Sequence, residues 1–476
     1  VTHATKTALP PQTQMARDLL TKHIKNYALE IGYSRVGVTT AEDFNEFLGY
    51  MQQTNKDYDW WRSSARDPLQ WARPKSQAPW AKSIIVLVYN YACVHFPNKL
   101  NQMLGRIYQS RSYLAPSTNI NGARLELLRD YLTKQGIKSE DAPWLPQRWA
   151  SYRAGLTFFG KNTFANAPGI GSFIVITSLL VDSELEYDSP CDLHGCPDNC
   201  KRCIDACPTG ALYEPYRINP WRCLAFNAWM PHASYIPHDI RVAAEQRIHG
   251  CDACQEACPR NQLALKNNDK LPENALLELL TSKLALEKLL HLEPEYYDQY
   301  VRPVMYNYIK DKDFFRRNAA IAIGNSHESR YLPDLAQELN NPSPLVRAHV
   351  AWAIGQIGKY NHVEKKTACY NSGAHLGAHL GAHLGAHASS GLTSGLACEI
   401  ASETTSELAA ELASEATSEL AAGLASGLAS DLASDLASEA TVVKTAIDLL
   451  EQRAKIEDDP IVKEELEQAL AEIGKA

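Results

Sequence analysis

The sequence has no hydrophobic run long enough to cross a lipid bilayer. Its longest largely apolar stretches, Ile84–Val88 and Phe173–Val181, are well short of the roughly 20 residues that a membrane-spanning helix needs. The first residues, Val1 to Thr7, lack the apolar core of a secretory signal peptide. We therefore expect a cytoplasmic protein in a reducing environment, with no membrane partner.

Outside one segment, the chain carries no net charge. The formal net charge at pH 7 is −8. Residues 361–440 hold two basic and ten acidic residues, which account for all of it, and the rest of the chain has 45 of each sign. The acidic balance therefore belongs to one segment, and a locally basic surface for RNA is compatible with the remainder.

Cysteine is concentrated in one part of the chain, since nine of the twelve cysteines lie between Cys191 and Cys258. Eight of them form two runs that each end in Cys-Pro: Cys196, Cys200, Cys203 and Cys207, then Cys223, Cys251, Cys254 and Cys258. Four soft thiolate ligands suit each [4Fe–4S] cube, so the pattern predicts two such clusters and electron transfer. Structural zinc does not require two Cys-Pro endings, and disulfides belong to oxidising compartments.

The spacing also predicts how the cysteines divide between the clusters. In the bacterial two-cluster pattern, three closely spaced cysteines hold one cluster and the cysteine before proline reaches the other. One predicted set is Cys196, Cys200, Cys203 and Cys258, and the other is Cys207, Cys223, Cys251 and Cys254. The first run is irregular, with three residues between its first two cysteines, so Cys191 competes with Cys196 as a ligand.

The sequence divides into segments of different pattern. Residues 1–185 alternate helical stretches with buried β-branched runs and are expected to form an α/β domain. Residues 186–265 carry the cysteines and are expected to form a ferredoxin-like domain organised by its ligands. Residues 266–360 are expected to form HEAT-like helical repeats, because Arg317–Gly324 is echoed by Arg347–Gly355 about 30 residues later.

The repeat pattern is interrupted near the C-terminal end. Residues 361–440 are a low-complexity acidic insertion in which Gly-Ala-His-Leu and Leu-Ala-Ser-acidic units recur. Histidines four apart could bind a metal, but a strict period of four drifts around a helix of 3.6 residues per turn, which favours a repeat expansion. Residues 441–476 are expected to form the final helical repeat.

Several motifs resemble the epoxyqueuosine reductase family. They span about 1–360 and 441–476, are densest over 145–261, and include Leu145–Ala150, Arg153–Thr163, Gly171–Phe173, Cys207–Leu212, Arg222–Cys223 and Gly250–Asn261. The resemblance implies a reductase in which two [4Fe–4S] clusters deliver electrons to a cobalamin in the N-terminal domain. The reduced cobalamin would remove the epoxide oxygen of a modified tRNA base while an acidic residue supplies a proton. It also implies tRNA as partner and an external low-potential electron donor.

The resemblance points to particular residues and also shows departures. Glu140 stands where the family has its proton-donating aspartate, and Asp141 follows it, so both are candidate catalytic acids unless they form a solvated turn. Lys161 and Asn162 are candidate cobalamin contacts, with an exposed surface lysine as the alternative for Lys161. The family's Gly-Arg-Asp-Tyr-His segment is matched only by Gly105–Gln109, which has lost the acidic and imidazole groups.

Two other functions fit the same residues. One is a two-cluster electron-transfer protein whose partner docks on the helical repeats. The other is a corrinoid reductase that acts on a small substrate, for example a halogenated one. Cys93 is expected to be a buried apolar residue beside the strand at Ser83–Tyr89.

Overall fold

The computed structural model of the 476-residue chain describes residues 11–53, 58–62, 67–112, 119–191, 195–305, 311–362 and 440–475. Of the predicted insertion, residues 363–439 lie outside this range. The chain forms two compact units, Val1–Ala285 with Glu293–Asp311, and Leu286–Leu292 with Lys312–Ala476. The predicted N-terminal and cysteine-bearing domains both lie in the first unit. The predicted domain boundaries themselves stay predictions.

The first unit contains a four-stranded antiparallel sheet with a small hairpin beside it. Its strands are β1 Arg35–Thr40, β2 Ser83–Asn90, β3 Ser139–Asp141, β4 Phe158–Phe159, β5 Ala165–Asn166 and β6 Ile174–Val181. The sheet order is β1-β2-β6-β3, and β4 pairs with β5. Every pairing is antiparallel, so the mixed α and β content expected for this region is confirmed with a strand arrangement that the sequence pattern did not specify.

Strand β2 forms the centre of the sheet because both of its faces are covered. Ile84 to Val88 have no exposed surface. Alternate residues of β2 pack into a hydrophobic cluster with the helices Asn45–Gln53 and Gln147–Arg153, while the helices Pro11–Glu30 and Ile120–Lys134 lie near strands β1 and β3. A continuous β-branched run is what a strand buried on both faces requires.

Nine helices in the described residues accompany this sheet, and their ends follow local signals. They are α1 Pro11–Glu30, α2 Asn45–Gln53, α3 Asp59–Arg62, α4 Pro68–Trp71, α5 Pro74–Gln77, α6 Asn98–Met103, α7 Arg106–Gln109, α8 Ile120–Lys134 and α9 Gln147–Arg153. Helix α8 begins where the Asn119 side chain accepts a hydrogen bond from the Gly122 N–H at 2.8 Å. It ends before Gly136, whose φ is +73°.

The cysteine-bearing segment consists of short helical pieces joined by turns. Its α-helices and those that follow in this unit are α10 Arg202–Asp205, α11 Leu224–Asn227, α12 His238–Ala244, α13 Ala253–Glu256, α14 Gln262–Asn268, α15 Ala275–Lys283 and α17 Pro294–Tyr296, with α16 Leu286–Leu290 in the second unit. Short 3-10 turns lie at Pro220–Arg222, Pro231–Ala233 and Pro259–Asn261, and a π-helical turn lies at Tyr297–Val301. Helices α10 and α13 pack together, which brings the two cysteine runs side by side.

The second unit is helical in its described residues. After α16 it contains α18 Asp313–Ser326, a 3-10 turn at Ser329–Tyr331, α19 Leu332–Glu338, α20 at 344–362, α21 at 440–454 and α22 Pro460–Lys475. Gly324 of α18 lies against Ala353 of α20, and Gly355 of α20 lies against Ala469 of α22. The echoed glycines therefore occupy equivalent close contacts, each with the second helix further along the chain.

Within the described ranges, no helix combines the length and the apolar character that a bilayer crossing requires. Cys93 is exposed, so the expectation that it is a buried apolar residue is wrong. It lies in the turn after β2, where its thiol is 3.3 Å from the Tyr89 hydroxyl.

Candidate iron–sulfur centres and their surroundings

One group of thiols brings together cysteines from both runs. Burial, together with the nearby Cys196, Cys258 and Cys200, raises the pKa of Cys203 to about 11. Burial also raises the pKa of Cys258, and Cys196 and Cys200 again contribute. The structure thus places the last cysteine of the second run beside the first three of the first run, as the crossover pattern requires.

A second group forms in the same way from the remaining four cysteines of the two runs. Burial raises the pKa of Cys254 well above its usual range, and Cys251, Cys223 and Cys207 add to the effect. Burial raises the pKa of Cys251 to about 12. Cys207 lies close enough to Cys223 to raise its pKa in addition to burial. The last cysteine of the first run is therefore beside the second run.

Neither thiol group is a site for a single metal ion, since no three His, Cys, Asp or Glu side chains of the described residues converge on one point. A [4Fe–4S] cube requires no such convergence, because each thiolate binds its own iron at one corner. The two cysteine groups fit two cubes in number, chemistry and position.

Cys196 has a clearer place in the first group than Cys191. The Lys161 backbone N–H lies 3.4 Å from Cys196 Sγ and points towards it. Cys196 also acts on the pKa of both Cys203 and Cys258, in addition to the burial of those thiols. Cys191 is half-buried and takes part in neither effect, so the geometry favours Cys196 as the ligand.

Lys161 is buried against the loop that carries the first cysteines. Its side chain is 6% exposed, so the alternative of a surface lysine is wrong. The ammonium donates to the carbonyl oxygens of Pro197, Asp198 and Cys200 at 2.8, 2.7 and 3.1 Å. An ammonium has three N–H donors, and these contacts use all three. The predicted cobalamin contact of Lys161 stays a prediction, and this geometry disfavours it.

Asn162 connects the same loop to the second group. Its side-chain amide donates to the Cys254 carbonyl oxygen at 3.3 Å. Lys161 and Asn162 are consecutive, and both follow strand β4. Two adjacent side chains of the N-terminal region thus hold the backbones of the two cysteine groups, while the predicted cobalamin contact of Asn162 stays a prediction.

A buried ion-pair network holds the second group to the N-terminal region. The Arg106 backbone N–H donates to Asp252 at 2.7 Å, and its guanidinium lies 2.5 Å from Glu256. Asp252 lies between Cys251 and Cys254 and also accepts from Gln255 at 2.8 Å. Burial raises the pKa of Asp252, and Arg106 opposes that shift. The altered Gly105–Gln109 segment therefore still supplies an arginine to the cysteine loop.

The Gly171–Ser172 motif packs against the end of the second cysteine run. The Ser172 N–H donates to Asn261 Oδ1 at 2.8 Å, and the Ser172 hydroxyl donates to Gln255 at 2.9 Å. Gly171 has a φ of +93°, and a Cβ built on it would lie 2.1 Å from Asn261 Oδ1. Glycine is needed there for its conformation and for the close approach of Asn261.

Glu140 and Asp141 lie in strand β3, so the alternative of a solvated turn is wrong. Glu140 pairs with Leu180 and Asp141 with Leu179, which places the two carboxylates on opposite faces of the sheet. Leu180 belongs to the hydrophobic cluster that packs on α9, and Glu140 is exposed at the edge of that face. A single ligand site on one face can therefore receive one of these carboxylates, not both.

Asp141 faces helix α8 on the other side of the sheet. Burial raises its pKa; Arg129 of α8 lowers it, while Glu126 of α8 and neighbouring Glu140 raise it. Its Oδ1 atom is buried without a hydrogen-bond partner among the described residues. Asp141 is therefore a carboxyl that holds its proton more readily than usual but lies under a helix.

A small cavity lies beside the first cysteine group. It has a volume of about 180 Å³ and is lined by Tyr50, Gln53, Tyr58, Tyr213, Glu214, Arg217 and Ile218. Tyr216 belongs to the loop at 213–218 that lines one side of this cavity, and it lies near Cys196. Burial raises the pKa of Tyr216, and Cys196 adds to the effect. Binding pockets for organic ligands are usually about 300 Å³ or larger, and a corrinoid macrocycle is a large ligand. The described residues around this cavity therefore do not form a site that fits a cobalamin.

Comparison with known proteins gives the family. Residues 196–261 match a family model described as a 4Fe-4S double cluster binding domain. The epoxyqueuosine reductase of Staphylococcus aureus is 30% identical over 355 residues, covering 71% of this chain and 89% of that protein. The chain belongs to the epoxyqueuosine reductase family. The Bacillus subtilis epoxyqueuosine reductase is 28% identical over 365 residues, covering 73% of this chain and 90% of the relative.

Solved structures of epoxyqueuosine reductases share the fold. One, a complex with an epoxyqueuosine-modified tRNA-Tyr stem loop, has a TM-score of 0.65 at 21% identity and covers 96% of this chain and 99% of its own. Another, from Streptococcus thermophilus, has a TM-score of 0.56 at 24% identity, with coverage of 71% and 90%. At this identity the likeness shows the fold alone.

For a member of the epoxyqueuosine reductase family, the sequence motifs left some of the site unassigned. Arg106, Asp252 and Gln255 were not predicted as site residues, although all three lie inside segments that the family resemblance covers. Asp252 and Gln255 could have been proposed from the sequence, because they lie next to cysteine ligands along the chain. Arg106 could be found only once the fold had brought it to Asp252.

Proposed function

We propose that this protein is an oxidoreductase that reduces epoxyqueuosine to queuosine in tRNA, using two [4Fe–4S] clusters. The observation that carries the proposal is the exchange of terminal cysteines between the two thiol groups in a chain of this family. Removal of an epoxide oxygen as water takes two electrons and two protons. Each cube moves one electron at a time, so a pair of cubes suits this demand.

We assign the clusters to the two thiol groups. Cys196, Cys200, Cys203 and Cys258 would hold the first cluster, and Cys207, Cys223, Cys251 and Cys254 the second. An external low-potential donor would supply the electrons. Free thiols and clusters require a reducing compartment, so we also propose a cytoplasmic location.

We assign the proton to Glu140. A proton donor must come within hydrogen-bond reach of the departing oxygen, which requires an accessible carboxyl. Glu140 is exposed and occupies the family's acid position, whereas Asp141 lies beneath α8. Asp141 is the alternative donor and the natural control, since it has the same chemistry on the opposite face of the sheet.

Cobalamin is the cofactor that the family motifs imply, and we propose it on that ground alone. When bound, it would supply the strongly reducing metal centre that epoxide reduction needs. The 180 Å³ cavity does not fit it, so no step is assigned through it. Reconstitution with cobalamin followed by absorbance spectroscopy tests this part by itself.

The helical second unit supports a role in holding RNA. We propose that α18, α20 and α22 are equivalent helices of successive HEAT-like repeats, because Gly324 and Gly355 make equivalent close contacts to the second helix further along the chain. Repeats of this kind offer extended surfaces to large partners. A tRNA-complexed relative shares the fold, which favours tRNA as the partner.

The test is mass spectrometry of tRNA nucleosides from cells in which the protein is replaced by wild type or by one variant at a time. Wild type should convert epoxyqueuosine to queuosine, Glu140→Gln should accumulate epoxyqueuosine, and Asp141→Asn should behave nearly as wild type. Iron content confirms that each variant still holds about eight irons, as two cubes require.

Other outcomes would identify the alternative functions. Reducible clusters with no effect on epoxyqueuosine, even with cobalamin supplied, would indicate an electron-transfer protein. Turnover of a halogenated compound without any effect on tRNA would indicate a small-substrate reductase. Accumulation of epoxyqueuosine with Asp141→Asn but not with Glu140→Gln would reverse the acid assignment.

A further inference from the structure

The two cysteine groups have different charged surroundings, and this difference is not apparent from the cysteine spacing. Beside the first group, the Lys161 ammonium is buried and donates to three neutral carbonyl oxygens. No carboxylate lies within ion-pair distance of it in the described part of the chain. A buried cation without a counter-ion produces a strong local positive potential, because the interior screens charge poorly.

A second cation lies beside the first group, but it is exposed, so solvent and salt weaken its positive potential. Arg260 directly follows Cys258-Pro259, and its guanidinium donates to the Gly195 carbonyl oxygen at 2.8 Å. It also lies over the Phe158 ring at 4.5 Å. Asp198 is the nearby carboxylate, and it is exposed, so solvent and salt weaken its effect.

The second group has its cations neutralised. Arg106 is paired with Glu256 and with the buried carboxylate of Asp252, which lies between two of the cysteines. Arg247 also lies near Cys251, but it is paired with Glu245 at 2.5 Å. Each of these two cations beside the second group thus has a carboxylate partner, whereas the Lys161 ammonium has none in the described part of the chain.

The reduction potential of an iron–sulfur cluster depends on net charge and on hydrogen bonds to its sulfurs. Reduction adds a negative charge, so a nearby cation raises the potential and a nearby anion lowers it. The Lys161 backbone N–H donates to Cys196 Sγ, but backbone groups also donate to Cys223 and Cys251 of the second group. Hydrogen bonds to sulfur therefore do not separate the two clusters, and the buried ammonium of Lys161 is what favours reduction of the first.

We propose that Lys161 is a positioning residue of the first cluster, and that its charge makes this cluster the more easily reduced of the two, so that electrons pass from the second cluster to the first. The inference rests on the two-cluster function proposed above. The order of the two reduction potentials alone sets the direction of electron transfer between the clusters.

The experiment is a potentiometric titration of the two-cluster protein followed by electron paramagnetic resonance. Cys203→Ser and Cys254→Ser identify the two signals, since each variant alters or removes the signal of its own cluster. In wild type, the signal that Cys203→Ser alters should appear at the higher potential. Earlier reduction of the signal that Cys254→Ser alters would overturn the proposal.

Three lysine variants isolate the charge. Lys161→Gln keeps hydrogen-bond donors but removes the charge, and should move the midpoint of the first cluster to more negative potential while the second stays in place. Lys161→Arg should restore the wild-type midpoint. Lys201→Gln removes an exposed charge from the same loop and should change neither midpoint. An unchanged first midpoint in Lys161→Gln, or an equal shift of both, contradicts the charge effect.

Iron content separates this inference from the function beneath it. Fewer than about eight irons in wild type would contradict the two-cluster function itself. If Lys161→Gln alone loses about four irons and Lys161→Arg keeps them, the positioning role is supported, and the wild-type order of reduction then decides the direction of transfer. Full iron in every variant with the reverse order rejects the inference and leaves the proposed function intact.

Discussion

Among the described residues of the second unit, Glu457 is the carboxylate with the most strongly shifted pKa. Its side chain is 1% exposed and accepts from Arg347 Nη2 at 2.8 Å and from Arg453 Nη2 at 2.7 Å. Burial alone would raise its pKa, but the hydrogen bonds from Arg347, the Asp459 N–H and Arg453 lower it to about 2. The pair joins residues 110 positions apart in sequence and so fixes the last two helices to α20.

Replacing Glu457 should therefore destabilise the second unit. Glu457→Gln leaves two buried guanidinium groups without a counter-ion, and we expect a loss of about 3 kcal/mol in the free energy of unfolding. The exposed pair Lys359–Glu472 is the matched control, and Lys359→Gln should cost less than about 1 kcal/mol. Urea unfolding followed by circular dichroism measures both, and equal costs would contradict a special role for Glu457.

The same carboxylate predicts the response to acid. Its pKa is lower in the folded state, so its contribution is complete above the unfolded pKa of about 4.3 and is lost as pH falls towards about 2. The unfolding temperature of wild type should drop across this window. In Glu457→Gln that part of the drop should be absent.

His291 predicts a pH effect of opposite sign. Its two ring nitrogens lie 2.7 Å from Glu338 and 2.9 Å from Asp334. Burial lowers its pKa, but hydrogen bonds to the two carboxylates outweigh this and raise the pKa above the usual value. The stabilisation is therefore present below about pH 6.5 and is lost as pH rises through the raised pKa.

A pH series of thermal unfolding curves tests this contribution. Wild type should lose stability on the neutral-to-alkaline side, and His291→Gln should be less stable at pH 6 but show a flatter profile above it. His23, which is exposed, supplies the control, and His23→Gln should leave the profile unchanged. Parallel profiles for wild type and His291→Gln would show that the two carboxylates do not hold a proton on the imidazole.

At the scale of elements, the Gly171 turn joins the sheet to the cysteine segment. Gly171→Ala combines a positive φ with a collision of the new Cβ and Asn261, and should reduce the iron content below about eight per chain. Gly169→Ala has a similar positive φ of +75° but an open surrounding, so it should keep its iron and lose about 1 kcal/mol. Iron analysis and thermal unfolding distinguish a collision from simple backbone strain.

The elements also show what a sequence can predict here. Strands β2 and β6 were predictable because long β-branched runs are typical of buried strands, and α8 because its cap and terminal glycine are local signals. Strand β3 was missed because it has three residues and exists through its pairing with β6. Long-range pairing leaves no local pattern, so the separation of Glu140 from Asp141 became apparent only in the structure.

The candidate site also has a part that the sequence predicts and a part that it does not. Cysteine spacing predicted which thiols the fold would bring together, because ligand count and the Cys-Pro crossover are properties of the chain itself. The contacts of Lys161 could not be predicted, since a lysine after a strand is usually exposed. Charges near a cluster depend on tertiary packing, and these charges decide how the two clusters differ.

At the scale of the whole molecule, the segment at 363–439 is inserted between helices that pack against each other without it. A Cβ built on Gly358 of α20 would lie 3.0 Å from the Ala446 side chain of α21. The Ile473 side chain of α22 packs against the same glycine. Helices α20 and α22 run in the same direction, because Gly355 meets Ala469 and Gly358 meets Ile473. Helix α21 joins α22 by a short turn and so runs antiparallel to α20.

This geometry places the end of α20 and the start of α21 at the same end of the helix group. Helix α20 ends at residue 362, four positions beyond Gly358, and α21 begins at residue 440, six positions before Ala446. The two helix ends therefore differ in height by two residues, which is about 3 Å at 1.5 Å per residue. Neighbouring helix axes are about 8–10 Å apart, so a flexible linker of about six Gly and Ser residues can join them.

Replacing 363–439 with such a linker should therefore leave the fold and the clusters intact. We expect an unfolding temperature within a few degrees of wild type, about eight irons per chain, and unchanged conversion of epoxyqueuosine in tRNA. The contacts that fix the last two helices, Arg347–Glu457 and Gln356–Glu472, are all retained in this variant. Combining the linker with Glu457→Gln is the control that should unfold more easily. A large loss of stability in the linker variant alone would mean that the final helices depend on the inserted segment.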